Sequence, residues 1–332
     1  MTGVTVVGAT TWGTTLAVLL ARKGVPVTLM ARSPEEAAEL ASSRRNARFL
    51  PSVEFPPPLT VAGGPQEALS GASMVILAVP STAMRRNVLS IGDAIRGEPV
   101  ILSASKGLEM ESGKRMSQVL EELLPQRLRP RISVLSGPNL ALEVVEGKPA
   151  STVVASRLPE AAARAQELLM SGTFRVYTNQ DTVGVELGGA LKNIIALGAG
   201  ICDGLGYGDN GKAAFMTRGL AEITRLGVAA GANPITFAGL AGLGDLVATC
   251  ASPLSRNHQV GSMLAAGRSL EQIRTSMENV AEGVFTTAAA VKLADDMAVE
   301  MPIANATYRV LFEGMDPKRA VAELMGRPPR AE

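Results

Sequence analysis

The sequence predicts an α/β fold in which a doubly wound parallel sheet is followed by an all-helical domain. Short apolar runs alternate with helical patterns in the first half of the chain, as they do where helices cover both faces of a parallel sheet. Strand signals end near residue 186, after which Ala, Leu, Gly and Met recur at helical spacing. A length of 332 residues suits two domains, which we predict to comprise residues 1–185 and 186–332.

The predicted elements follow one another in a regular order. Val4–Val7 forms a buried strand that ends at Gly8, and Thr14–Lys23 has the apolar spacing of a helix. Further strands are predicted at Pro26–Met30, Met74–Val79, Val100–Ser103, Ile132–Leu135, Thr152–Ala155 and Arg175–Tyr177. Prolines at positions 51, 56, 57, 58 and 65 predict a loop or an extended connector over residues 51–65, within the first domain.

Composition excludes several classes of function. Lys and Arg number 32 against 31 Asp and Glu, and no dense basic run occurs, so no nucleic-acid partner is expected. Two cysteines, Cys202 and Cys250, exclude a disulfide framework and a multi-thiolate metal site. The single histidine, His258, excludes a histidine-rich zinc site and disfavours a Ser-His-Asp triad, and we expect no metal.

Targeting signals are not evident in the sequence. The apolar stretch Leu16–Ala21 stops at Arg22, and no positive charge precedes it, which does not match a secretory signal. The apolar segment Leu187–Leu205 contains Lys192 and Asp203, which favours a buried helix over a membrane span. A soluble, cytoplasmic protein without a membrane span is therefore expected.

A glycine-rich turn joins the first predicted strand to the first helix. In Gly8-Ala9-Thr10-Thr11-Trp12-Gly13, Gly8 permits a sharp turn and Gly13 permits close packing of helix on strand. The helix N-terminus then offers N–H groups to a pyrophosphate, which is the pattern of a Rossmann-type dinucleotide site. Thr10 replaces the second glycine of that pattern, so a plain strand-to-helix turn remains the alternative.

Arg32 follows the second predicted strand, where NAD-selective sites carry Asp or Glu. An arginine at this place can pair with a 2′-phosphate, which favours NADP without excluding NAD. The alternative is a solvated arginine on the surface.

Polar segments that follow two later strands are candidate ligand sites. Lys106 comes shortly after the strand Val100–Ser103, and Gly137 and Asn139 come after the strand Ile132–Leu135. The C-terminal ends of parallel strands are where such sheets bind ligands.

Two further candidates lie in the helical half. Lys192 is flanked by apolar residues, so it is either a snorkelling surface lysine or a buried functional ammonium, and we favour the second. Ser255 predicts a helix start that places Arg256 and Asn257 in the first turn, which is a good anion site. Asp245 is a partner of Lys192, an acceptor of a substrate hydroxyl or a turn aspartate, and Ser255 is alternatively a simple N-cap.

The chain resembles the bacterial NAD(P)-dependent glycerol-3-phosphate dehydrogenases along nearly its whole length. The matching segments are Trp12–Thr14, Asn46–Pro51, Ser105–Glu109, Ser136–Pro138, Glu186–Asn193, Gly239–Leu246, Ser252–Asn257 and Val280–Gly283. A glycine turn alone is weak evidence, whereas this ordered series is specific.

The resemblance implies reduction of dihydroxyacetone phosphate to sn-glycerol 3-phosphate with NADP or NAD, and a proton passed through Lys192. It implies substrate contacts at Lys106, Gly137, Asn139, Lys192, Asp245, Ser255, Arg256 and Asn257. It implies cofactor contacts at Thr11, Trp12, Arg32, Lys106, Ala141, Arg256, Val280 and Glu282, beside Gly8 and Gly13 of the turn. A bacterial cytoplasmic homodimer that supplies phospholipid synthesis is further implied.

Two alternative functions remain open from the sequence. The first is a related two-domain dehydrogenase of a hydroxy acid, whose anchoring arginine would face a carboxylate. The second is a Rossmann protein that binds a nucleotide without turnover, an alternative that Thr10 leaves open. Lys192, Asp245 and Arg256 together argue against the second, because a pure binding module needs none of them.

Overall fold

Within the described residues, the first part of the chain forms an open sheet of eight strands. The computed structural model describes residues 3–277 and 281–329. The sheet strands are β1 Gly3–Val7, β2 Val27–Met30, β5 Leu59–Ala62, β6 Ala72–Leu77, β7 Val100–Ser103, β8 Ile132–Ser136, β9 Ala150–Ser156 and β10 Phe174–Asn179. Their order across the sheet is β10-β9-β8-β7-β6-β1-β2-β5. A separate two-stranded ribbon consists of β3 Arg45–Asn46 and β4 Leu50–Glu54.

The chain runs from β1 outward to β2 and returns to β6 on the other side of β1, so strand order reverses beside β1. Open α/β sheets bind ligands at such a reversal.

Helices cover both faces of the sheet, as the doubly wound prediction requires. They are α1 Thr11–Arg22, α2 Pro34–Ser43, α3 Pro65–Ala68, α4 Met84–Ile91, α5 Met116–Leu123, α6 Ala141–Val145 and α7 Pro159–Leu169. On one face Val4 and Val6 pack in the same core as Leu16 of α1, and on the other Val7 packs in a core with Val88 of α4. Successive strand side chains point to opposite faces, so one buried strand contributes to two cores.

Two features of the sheet differ from the predicted arrangement. Strand β9 runs antiparallel to β8, and β10 is parallel to β9, so the last two strands oppose the other six. An antiparallel neighbour needs only a return loop at one end of the sheet, which residues 137–149 supply. The connector over residues 51–65 is extended and not a loop, because it contains most of β4 and all of β5. Val53, Phe55 and Leu59 are buried there, and the pairing of β5 with β2 completes the sheet edge.

From Thr182 onward the described chain is helical, as predicted. The helices are α8 Thr182–Gly204, α9 Gly208–Ala229, α10 Pro234–Phe237, α11 Asp245–Ala251, α12 Arg256–Ala265, α13 Leu270–Ser276, α14 Glu282–Asp296, α15 Pro302–Phe312 and α16 Pro317–Met325. A short π-helix over Leu240–Gly244 precedes α11.

Among the residues that the structure describes, two helical stretches are long and apolar enough to cross a membrane by length and composition. They are Thr182–Gly204 and Pro234–Ala251, of which 94% and 44% are buried within the fold. The first coincides with the segment that the sequence predicts as a buried helix. Its burial is that of a core helix.

The chain forms two compact units, which we call the sheet unit and the helical unit. The sheet unit comprises the chain up to Lys106 together with Arg115–Glu186, and the helical unit comprises Gly107–Lys114 together with the chain from Leu187 onward. The sequence predicted a single boundary after residue 185, which placed the short segment Gly107–Lys114 in the first domain. Within the helical unit, the Lys292 ammonium donates to the carbonyl of Glu111 at 2.6 Å and ties this segment to α14.

The helical unit contains a buried carboxylate whose ionisation we expect to affect stability. Glu222 is 2% exposed and accepts hydrogen bonds from the N–H groups of Ile303 and Ala304, both at 2.8 Å, at the start of α15. Burial raises the pKa of Glu222 from 4.5 to about 7, although these bonds oppose the increase. The folded state therefore binds this proton more tightly than the unfolded state does.

The pH dependence of unfolding tests this expectation. A raised carboxyl pKa contributes stability that is complete below the unfolded value and is lost as pH rises through the folded value. We expect the free energy of unfolding to fall by up to about 3 kcal/mol between pH 4.5 and pH 7.5. In Glu222→Gln this decrease should be largely absent, because glutamine does not titrate. Equal pH slopes for both proteins in urea unfolding followed by circular dichroism would contradict it.

Candidate active site

The glycine turn of the sheet unit has the close packing that its sequence predicts. Gly8 has φ 108°, and a Cβ there would lie 2.9 Å from the carbonyl oxygen of Ala78. A Cβ on Gly13 would lie 2.0 Å from the carbonyl oxygen of Gly8. Neither position can therefore carry a side chain, and the turn brings the start of α1 directly against β1.

Thr10 is the N-cap of α1. Its hydroxyl donates to the carbonyl of Ala78 at 2.8 Å and accepts from the N–H of Gly13 at 3.0 Å. Within residues 3–277 and 281–329, the N–H groups of Thr11 and Trp12 have no acceptor. The hydroxyl of Thr10, which replaces the second glycine of the pattern, thus hydrogen-bonds to the backbone. The N–H groups of Thr11 and Trp12 remain available to an anion.

Loss of the Thr10 hydroxyl should destabilise the sheet unit. We expect Thr10→Val to lower the free energy of unfolding by about 1–2 kcal/mol, because it removes the N-cap but keeps the branched side chain. Thr10→Ser, which retains the hydroxyl, should remain close to the unaltered protein. Urea unfolding followed by the fluorescence of Trp12, the sole tryptophan, measures this unit. A valine variant as stable as the serine variant would show that the cap contributes nothing.

Asn46 supports the turn, and sequence reasoning assigned it no role. It is 3% exposed, and its amide donates to the carbonyl of Ala9 at 3.0 Å and to the hydroxyl of Thr14 at 2.8 Å. The only signal in the sequence was its place in the family-like segment Asn46–Pro51. Its partners lie more than thirty residues away in the chain, with a separation of 32 residues to Thr14.

Apart from Arg32 and the residues of the glycine turn, the predicted site residues of the sheet unit lie at the end of β8 or shortly after it. Lys106 donates to the carbonyl of Gly137 at 2.9 Å, and Asn139 donates to the carbonyl of Ser151 at 3.0 Å. Gly137 has φ 155°, and a Cβ there would lie 2.9 Å from the Cα of Thr152. Because β9 runs antiparallel to β8, the first residues of β9 lie beside the end of β8. Ala141 begins α6, and its carbonyl accepts from Thr15 of α1 at 3.4 Å.

Unsatisfied buried polar atoms indicate that this unit can accept a ligand. Trp12 Nε1 and Asn139 Oδ1 are buried and have no hydrogen-bond partner among the described residues, and the same holds for three hydroxyls on β7 and β8, those of Ser103, Ser133 and Ser136. Buried polar groups are nearly always paired, so such orphans are expected where a ligand or water completes the site. The glycine cradle, the helix N–H donors and these orphans together fit a dinucleotide.

Arg32, the predicted contact of a 2′-phosphate, forms an ion pair with Glu36. Its guanidinium lies 3.1 Å from the carboxylate of Glu36, although its side chain is 69% exposed. The prediction that it contacts a cofactor phosphate is not tested by this pairing.

The helical unit brings Lys192 and Asp245 together in a buried pair. Lys192 is 5% exposed and Asp245 1% exposed, and the Lys192 ammonium donates to Asp245 Oδ1. The ammonium also donates to Thr249 Oγ1 at 2.7 Å, and that hydroxyl donates to the Asp245 carbonyl at 2.6 Å. Sequence reasoning missed Thr249, whose signal was its position one turn after Asp245 on α11. The neighbouring Cys250 is no competing acid or base near neutral pH, because burial raises its pKa to about 12.

A second network joins three helices of the same unit. Asn257 of α12 donates to Asn193 of α8 at 2.9 Å and accepts from the N–H of Gly283 in α14, also at 2.9 Å. Asn193 directly follows Lys192, so this network fixes the turn of α8 that carries the lysine. Sequence reasoning named Asn193 only as a motif member.

The predicted anion site has the expected local geometry. Ser255 caps α12 by accepting from the N–H of His258 at 3.3 Å, so Arg256 is the first helical residue. Arg256 is exposed, and in the described part of the chain its guanidinium forms no hydrogen bond or ion pair. Glu282 is the first residue of α14. Val280, a predicted cofactor contact, lies outside the described residues.

Reduction of a carbonyl by a nicotinamide requires a dinucleotide held by its phosphates and a proton donor for the developing alkoxide. The sheet unit has the features of a dinucleotide site, and the helical unit has a buried ammonium suited to donate the proton. The fold and these sites define a nicotinamide-nucleotide-dependent oxidoreductase.

Family models specify which oxidoreductase family this is. Residues 3–162 match the NAD-dependent glycerol-3-phosphate dehydrogenase N-terminus, and residues 181–322 match the C-terminus of the same family. The chain belongs to the NAD-dependent glycerol-3-phosphate dehydrogenase family.

Individual relatives agree with this assignment. A glycerol-3-phosphate dehydrogenase [NAD(P)+] of Dehalococcoides mccartyi is 53% identical over 326 residues, which cover 98% of this chain and 91% of the relative. A protein of the same name from Chlorobium limicola is 50% identical over 99% of both chains. The crystal structure of a glycerol-3-phosphate dehydrogenase from Coxiella burnetii has a TM-score of 0.93 at 36% identity, covering 98% of this chain and 99% of that one.

Proposed function

We propose that this chain catalyses the reversible reduction of dihydroxyacetone phosphate to sn-glycerol 3-phosphate, with Lys192 moving the proton at the carbinol oxygen. The observation that carries the proposal is the burial of the Lys192 ammonium on Asp245 and Thr249. A lysine without a chemical role would rarely be buried this completely, because removing an ammonium from water is costly.

The bound cofactor, NADPH or NADH, supplies the hydride that reaches the carbonyl carbon. As negative charge develops on the carbonyl oxygen, Lys192 donates a proton to it, and the amine is reprotonated from solvent. Asp245 stabilises the protonated form and, with Thr249, holds the Nζ atom in one position. In the oxidation direction the neutral amine of Lys192 accepts the same proton.

Recognition of the substrate phosphate is assigned to the start of α12. Arg256 offers a fixed positive charge there, and Ser255 and Asn257 hold the first turn in place. A guanidinium binds a phosphate dianion through paired hydrogen bonds, whereas the carboxylate of a hydroxy acid carries less charge. In the sheet unit, we assign substrate contacts to Lys106, Gly137 and Asn139, which cluster at the end of β8.

Cofactor binding is assigned to the turn residues and to the sequence-predicted contacts. They are Gly8, Thr11, Trp12, Gly13, Arg32, Lys106, Ala141, Arg256, Val280 and Glu282. The sheet unit would thus serve the cofactor, and the helical unit the proton transfer. We further propose that the protein is a cytoplasmic homodimer whose product serves phospholipid synthesis, on the strength of the family assignment.

Oxidation of NADPH and NADH by the purified protein, with and without dihydroxyacetone phosphate, tests the function. We expect oxidation that depends on this substrate. Oxidation with 2-keto acids instead would favour a hydroxy-acid dehydrogenase. Nucleotide binding without oxidation of either nucleotide would favour a non-catalytic binding protein.

A further inference from the structure

An ion pair between Arg32 and Glu36 lies directly after β2 in the sheet unit. In Rossmann-type sites this is the position that discriminates NAD from NADP. The Nε atom of Arg32 lies 3.1 Å from Oε1 of Glu36. The other carboxylate oxygen, Oε2, accepts from the backbone N–H of Arg32 at 2.9 Å. One carboxylate therefore engages both the guanidinium and the backbone donor of Arg32.

NAD and NADP differ only by a phosphate on the 2′ position of the adenosine ribose. Rossmann-type sites recognise this difference just after the second strand, with a carboxylate for the ribose hydroxyls or an arginine for the 2′-phosphate. Here the chain places an arginine at residue 32 and a carboxylate against it. The sequence motif alone indicates only the arginine, because Glu36 is four residues away and is brought back by the first turn of α2.

The position of Glu36 is fixed by the helix start and not by the arginine alone. Ser33 is the N-cap of α2 and accepts from the N–H of Glu36 at 3.3 Å. The Glu36 side chain is 18% exposed, whereas that of Arg32 is 69% exposed. The negative charge is thus the more buried member of the pair, and the positive charge is the more exposed one.

We propose that Glu36 determines the cofactor preference by weakening the binding of NADP(H) relative to NAD(H). A 2′-phosphate would compete with the Glu36 carboxylate for the Arg32 guanidinium, and the carboxylate would also repel the phosphate. NAD(H) carries no 2′-phosphate and meets neither cost. The inference rests on the proposed cofactor site at the glycine turn.

The substitution Glu36→Gln separates the charge from the helix start. Glutamine keeps an oxygen that can accept from the N–H of Arg32, so the beginning of α2 is preserved. NADPH and NADH are titrated separately into the full-length protein without substrate, and binding is followed by isothermal titration calorimetry. We expect the Kd for NADPH to fall about 3- to 10-fold, as suits a partly exposed ion pair, and the Kd for NADH to change less than about 2-fold.

Glu35→Gln is the matched control. It removes the same charge from the neighbouring position of the same helical turn, but Glu35 forms no ion pair with Arg32 among the described residues. It should leave the ratio of the two Kd values unchanged. In an Arg32→Ala background, Glu36→Gln should improve NADPH binding less than it does in the unaltered protein, because no guanidinium is released.

The outcomes distinguish this inference from the function on which it rests. If both nucleotides bind and Glu36→Gln leaves the Kd ratio unchanged, Glu36 does not set the preference. Equal shifts in the Glu35 and Glu36 variants would mean a general charge effect and would also overturn the inference. If the unaltered protein binds neither nucleotide, the proposed cofactor site is wrong, and the inference with it.

Discussion

Lys192→Arg should lower kcat for dihydroxyacetone phosphate reduction by at least about 100-fold, within the range usual for loss of acid–base catalysis. Arginine keeps a positive charge beside Asp245, so that buried carboxylate remains paired. Its guanidinium does not release a proton near neutral pH, and proton transfer to the carbinol oxygen should therefore fail. The measurement is steady-state NADPH and NADH oxidation at saturating substrate.

The choice of arginine keeps this test independent of folding. Lys192→Ala would leave Asp245 buried without a counter-charge, a change that can unfold the helical unit by itself. Nucleotide titration and thermal unfolding of the arginine variant provide the controls, and both should remain close to those of the unaltered protein. A loss of turnover below about tenfold in a folded variant would remove Lys192 from its proposed role.

Glu186→Ala should lower the free energy of unfolding of the sheet unit by about 3–5 kcal/mol, the usual effect of breaking a buried ion pair. Glu186 lies 2.5 Å from the guanidinium of Arg115, and both side chains are 9% exposed. The carboxylate also accepts from the N–H of Ser117 at 2.7 Å and from its hydroxyl at 2.5 Å. Truncation would leave a buried guanidinium without its counter-charge. Urea unfolding followed by Trp12 fluorescence measures the loss.

An exposed pair of the same chemistry is the control for burial. Glu98 lies 2.8 Å from Arg131, and its side chain is 55% exposed. Glu98→Ala should cost less than about 1 kcal/mol, because water screens that pair. The double variant Arg115→Leu/Glu186→Leu should recover most of the stability, since an apolar pair can replace a buried ion pair. Similar losses for the Glu98 and Glu186 variants would show that burial of the pair has no special effect.

Local patterns in the sequence predicted most of the fold. The strands and the first helix were predicted because a buried strand and an amphipathic helix have different residue periods. The sequence did not decide between a loop and an extended connector for residues 51–65, because a window that averages over the prolines hides the buried Val53 and Leu59. The reversal of β9 has no local signal, since a buried strand has the same composition in either direction.

The sequence identified the candidate site only in part. Lys192 and Asp245 were candidates because a charge in an apolar segment is conspicuous by itself. Their pairing was one of the alternatives for Asp245, and only the structure decided it, because 53 residues separate the two in the chain. Thr249, Asn46 and Glu36 were missed because a threonine, asparagine or glutamate is common at helix starts and on surfaces, and only its partner reveals a role.

The sequence by itself determined the chain order of β1, β2 and β6–β10, the glycine turn after β1 and the residue types available for chemistry. These features depend on neighbours within a few turns of the chain, where steric preference and hydrophobic period act directly. Only the tertiary structure decided the direction of β9, the assignment of Gly107–Lys114 to the helical unit and the partners of the buried charges. Burial makes an unpaired charge costly, so a charged side chain is held by whichever partner the fold brings to it, however distant in the chain.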